Sequence, residues 1–135
     1  MNYKIENVEG IGPAYGEKLS DAGVTDTDKL LDVCGGAKGR KEVSEKTGIS
    51  EKLLLQWANQ ADLMRINGVG KQFAELLEVA GVDTVKELKH RNAANLAEKM
   101  AEVNGEKKLA RSTPAESQVS EWIEQAKTME PKISH

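Results

Sequence analysis

Apolar residues along this chain recur at three- and four-residue spacings, as in helices with one buried face, and no segment alternates for long enough to make a strand. Over residues 13–22 the stripe is Tyr15, Leu19 and Ala22; over residues 50–64 it runs through Leu53, Leu54, Trp57 and Ala61. The punctuation between stripes has physical causes. Gly23 before Val24, Gly81 before Val82 and Gly48 before Ile49 read as helix stops: glycine takes the left-handed conformation and the next apolar residue folds back on the last turn. Pro13 suits a first helical turn, because its missing N–H would have no partner there. Ser50 is placed to cap the helix after it, Thr84 and Glu87 are spaced as a capping box, and residues 113–116 combine an N-cap Thr113, a first-turn Pro114 and an acid, Glu116.

These signals occur twice. A shift of 58 residues superposes Val8, Gly10, Ile11 and Gly12 on Ile66, Gly68, Val69 and Gly70, then Tyr15 on Phe73, Leu19 on Leu77, residues 22–24 on 80–82, and Leu30 on Leu88. Trp57, Gln60 and Ala61 match Trp122, Gln125 and Ala126 at an offset of 65, so the second copy carries seven extra residues, placed within residues 104–113. The expected architecture is all-α, with two units of about four helices each, residues 1–61 and 62–135. A helix over about residues 50–64 is shared between them. An isolated core is marginal at roughly 60 residues, so the copies are expected to pack on each other.

Composition narrows the picture. A chain of 135 residues makes one compact domain or two small ones. Aromatics are only 4%, which leaves the core to Leu, Val, Ile, Ala and Met. Apolar runs are short, as at residues 53–55, against the roughly 20 residues of a bilayer span, and the first residues lack the apolar core of a signal peptide. A soluble, cytoplasmic protein with no membrane contact is expected. Cys34 is the sole cysteine, which fits a reducing compartment and a packed position. The net charge of −3 is spread evenly, with 8 basic and 10 acidic residues through Ala61 and 11 and 12 after it. Any nucleic-acid binding must therefore come from a local patch.

The candidate chemistry lies in the two glycine pentads, residues 8–12 and 66–70. In each, the central apolar residue, Ile11 or Val69, can plug the core while the backbone turns outward. Amides at the start of the next helix then face solvent, where the helix dipole favours an anion. In the second copy the donors are Gly68, Gly70, Lys71 and Gln72, with the Lys71 ammonium beside them and Arg65 nearby. The first copy departs from this: Pro13 removes the donor and the cation that Lys71 supplies, and Glu9 stands where the second copy has Asn67. Gly10 and Gly12 are accordingly expected to form mainly a structural turn. Glycine turns between packed helices also occur for close approach alone.

The pentads, each followed by a helix with leucine seven residues after the second glycine, resemble the helix-hairpin-helix family over residues 8–31 and 66–89. The chain is also similar to a bacterial family that pairs two such modules and is likened to the hairpin region of flap-type nucleases. The resemblance implies that residues 66–72, with Val69 among them, face a sugar-phosphate backbone.

Basic residues also cluster at residues 38–41, at Lys86, Lys89, His90 and Arg91, and at Lys107, Lys108 and Arg111 in the inserted segment. Glu42, Glu87 and Glu106 beside them favour solvated faces. The inserted cluster stands out because it lies where the copies differ, and long connections tend to carry function. Catalysis finds little to work with. His90 and His135 are the only histidines, and Cys34 has no histidine partner in view, so no metal, cofactor, small-molecule substrate or enzymatic activity is expected. Two readings remain. One is sequence-independent DNA binding through the second turn. The other is a protein-interaction module of a transcription or DNA-repair assembly, similar to the acidic tandem repeats of transcription elongation factors.

Overall fold

Helix follows helix because each amphipathic stripe ends at a stop that the backbone obeys. The structure, a computed structural model, describes residues 2–134, so Met1 and His135 lie outside the described residues. After a 3-10 turn at Ile5–Asn7 come α1 (Pro13–Asp21), α2 (Thr27–Cys34), α3 (Ala37–Thr47) and α4 (Glu51–Leu63). Then follow α5 (Lys71–Val79), α6 (Val85–Leu88), α7 (Ala93–Lys107) and α8 (Glu116–Lys127). The architecture is all-α, and extended pairing among the described residues is one isolated antiparallel bridge, Lys4 with Asp26.

The stops work as the residues require. Gly23 and Gly81 sit at φ +89° and +103°. Val24 N–H donates to Leu19 O at 2.8 Å and Val82 N–H to Leu77 O at 2.9 Å, the long hydrogen bond of a Schellman ending. Ser50 and Thr84 accept from Leu53 N–H and Glu87 N–H, each at 3.2 Å. The third expected start is displaced. The Thr113 hydroxyl is taken by Asn104 Nδ2 at 3.3 Å, and α8 begins at Glu116 with Ala115 N–H held by Gln118 Oε1 at 3.1 Å.

Helix α4 is the centre of the packing. Over residues 57–63 every residue is buried, because the helix meets α2 and α3 as well as α5. A single apolar cluster runs from Ile5 and Leu19 through Leu54 and Trp57 to Leu77, Leu96 and Ile123. Leu19 and Leu77 occupy matching, fully buried positions, and truncating either to alanine removes about 2–5 kcal/mol. Its buried polar groups are satisfied only in part, since Asn59 Oδ1 and Gln60 Oε1 have no hydrogen-bond partner among the described residues. Gln60 Nε2 on α4 donates to Glu78 on α5. Asp62 pairs with Arg65 at 2.6 Å and accepts Val85 N–H at 2.8 Å, which ties the end of α4 to the start of α6. The chain after α8 runs back over both halves, where Arg65 donates to Glu130 O at 3.0 Å and buried Arg40 to Ser134 O at 2.6 Å.

Candidate nucleic-acid interface

Both glycine pentads are turns built the same way. Ile11 N–H donates to Val8 O and Val69 N–H to Ile66 O, each at 3.1 Å, and all four side chains are buried. The first glycine of each pair is one the fold demands. Gly10 and Gly68 stand at φ +91° and +95°, and a Cβ there would lie 3.2 Å from Trp57 Nε1 and 3.1 Å from Trp122 Nε1 respectively. Tyr15 packs edge-on and Phe73 tilted against the same two indoles, with ring centroids 5.1 and 5.3 Å apart. Gln125 on α8 fixes the second turn further, accepting Asn67 N–H at 2.9 Å and donating to Asn67 O at 3.3 Å.

The second glycines differ. Gly12 and Gly70 have φ of −84° and −95°, and a Cβ on either would meet nothing within 4 Å. Neither backbone nor packing calls for glycine there. Gly70 is the N-cap of α5, a position where Ser, Thr, Asp or Asn would accept one of the first amides, and no side chain caps it. Consequently the N–H groups of Gly70, Lys71 and Gln72, and that of Gly68, donate to no group among the described residues. Helices α2, α4, α6 and α7 each carry a side-chain cap. The starts of α1, α3 and α8 also lack a side-chain cap, but α1 loses a donor to Pro13 and neither α3 nor α8 opens on the cleft described next.

Lys71, Gln72, Lys108 and Leu109 line a cleft of about 370 Å³ together with Glu9 and Glu75. The inserted segment folds onto its edge, with Asn104 Oδ1 accepting Ala110 N–H at 2.9 Å and Gln72 Oε1 accepting Arg111 N–H at 3.4 Å. Lys108 closes α7 in the left-handed conformation, φ +52°, where glycine would be the less strained choice.

Carboxylates share this cleft. Glu9, from the first turn, places Oε2 3.4 Å from Lys71 Nζ. Glu75 stands one turn along α5 and lines the same cleft. Burial first, and then the Glu9 charge, push the Glu75 carboxyl above its usual range.

The fold thus gathers Lys71, Gln72 and Lys108 in one cleft, with the Arg111 backbone bonded to Gln72, while Gly70 caps the same helix and Gly68 stays in the turn before it. Arg65 turns away to Asp62 and Glu130 O, Lys107 is exposed at the end of α7 outside the cleft, and Val69 spends both its amide and its side chain inside the turn. Gly10 and Gly12 stay with the first turn, which contributes Glu9. Within the cluster at residues 38–41, Arg40 is buried and bonds the Cys34 and Gly35 carbonyls, each at 3.0 Å. Glu75 escaped the sequence reading, although its place four residues after Lys71 puts it on the same helical face.

Chemically the cleft offers amides, ammonium groups and carboxylates. Among the described residues no group of three or more His, Cys, Asp and Glu converges on a metal-sized site. His90 is exposed and distant from it in sequence. Cys34 is fully buried, and burial pushes its thiol up to about 11 against the opposing pull of Arg40.

Residues 9–129 match the family described as Domain of unknown function (DUF4332), and the chain belongs to that family. No curated protein and no solved structure matches it. No helix among the described residues is long and apolar enough to cross a membrane.

Proposed function

We propose that the chain is a non-enzymatic module that holds the sugar-phosphate backbone of DNA without reading its bases, anchored at the second glycine turn. The observation that carries this reading is the run of amides at Gly70, Lys71 and Gln72, left without acceptors at a position where a serine or aspartate would fit the backbone. A phosphate can accept from several such donors at once, with the helix dipole in its favour. Lys71 and Lys108 add positive charge, and Lys108 does so from a conformation in which the fold would prefer glycine. With so few phosphates neutralised, affinity is modest and falls with salt. The resemblance to helix-hairpin-helix modules supports the same assignment.

A second reading, a protein-interaction module, is favoured by Glu9 and Glu75 in the cleft and by the net charge of −3. Fluorescence anisotropy on labelled duplex and single-stranded DNA separates the two. The DNA reading predicts salt-sensitive binding that Lys71→Glu weakens far more than Lys18→Glu, since Lys18 lies exposed on α1. Absence of binding at low salt with protein at roughly tens of micromolar sinks it, because non-specific binding reaches that range. A pull-down from the host then becomes the search for a partner.

A further inference from the structure

The first turn sends a charge into the second. Glu9 is placed by the fold rather than by chance: its neighbour Val8 is buried and Gly10 lies against Trp57, so the backbone is held while the carboxylate reaches Lys71. Both side chains of this pair are nearly half exposed, at 46% and 47%, and an ion pair so open to water adds little to stability. Its effect is on what Lys71 can offer.

We propose that Glu9 is an intramolecular competitor for the anion site of the second turn: its carboxylate sits at the ammonium that an incoming phosphate would use, and phosphate binding must displace it. This deepens the reading above and rests on the same unpaired amides. The charged groups that share the cleft with Glu9 are Lys71 and Glu75 on α5 and Lys108 from the segment after α7. Burial first, and then the Glu9 charge, push the Glu75 carboxyl above its usual range, while the Glu9 carboxylate lies 3.4 Å from the Lys71 ammonium.

The test uses the full chain, with sodium tripolyphosphate as probe and the amide NMR shifts of Gly70, Lys71 and Gln72 as readout. At neutral pH, Glu9→Gln is expected to bind about three- to fivefold tighter than the native chain, the range that freeing Lys71 from an exposed ion pair can supply. In a Lys71→Gln background the same change gives less than about a twofold gain, because there is no ammonium left to release. Equal affinities of native chain and Glu9→Gln, an equal gain without Lys71, or no shift of these amides in any protein overturns the proposal. Labelled DNA titrated into the same samples separates the two claims. Polyphosphate competition without DNA binding removes the DNA reading alone, and DNA binding with polyphosphate affinity indifferent to Glu9 removes the competitor alone.

Discussion

The indole of Trp122 lies over Gly68 so closely that a methyl group on the glycine would come within 3.1 Å of Nε1, and Trp57 does the same to Gly10 at 3.2 Å. The helix that ends each half thus reaches back to the turn that begins it. At these glycines a side chain is refused twice, by the positive φ and by the ring. Gly68→Ala is expected to cost about 1–3 kcal/mol, whereas Gly70→Ala costs less than about 1 kcal/mol, the difference between two weak N-caps. Urea midpoints of the two variants measure this, and equal losses contradict it.

Asp62 holds the middle of the molecule, at 1% exposure, through Arg65 and the Val85 amide. Asp62→Ala leaves Arg65 without its carboxylate and a buried N–H without an acceptor, and is expected to cost about 3–5 kcal/mol. Asp62→Asn keeps an acceptor for Val85 and costs less. Denaturant unfolding orders the pair, and the reverse order denies Asp62 this role.

Glu75 has a carboxyl pKa raised in the folded chain by burial and by Glu9. Between its unfolded and folded values the native state binds more protons than the unfolded one, so this group's contribution to stability falls as pH rises through that interval. Glu75→Gln removes that slope and stabilises the protein above it by no more than about 1 kcal/mol, given the group's partial exposure. Thermal melts from mildly acidic to neutral pH read both effects. A variant less stable than the native chain at neutral pH contradicts the assignment.

Cys34 is buried beside Arg40 with its thiol pushed up to about 11. A disulfide reagent at neutral pH is therefore expected to label the native chain only as fast as it opens, with rapid reaction in denaturant. Fast labelling of the folded protein rules out this packing.

Much of this was legible because local chemistry decides it. Gly23, Gly48 and Gly81 end helices through their own backbone preference, Ser50 and Thr84 cap through amides three residues away, and the buried leucines follow the stripe. The illegible parts depend on partners far along the chain. The Thr113 hydroxyl was claimed by Asn104, and Arg40 and Arg65 were claimed by carbonyls at Ser134 and Glu130. Glu9 was visible as a negative charge in the first turn, but its meeting with Lys71 exists only once the two halves are packed. The pentads also looked uniform, whereas only the first glycine of each is demanded by the fold.

The central claim is that the amides after Gly70 are left open for an anion, and Gly70→Asp tests it most directly by supplying an acceptor from within. An aspartate at this N-cap fits the observed backbone and complements the helix dipole, so the melting temperature should hold or rise slightly. DNA affinity by low-salt anisotropy should fall at least about tenfold, while Gly12→Asp leaves it unchanged. A folded Gly70→Asp protein that binds DNA as tightly as the native chain would contradict the account.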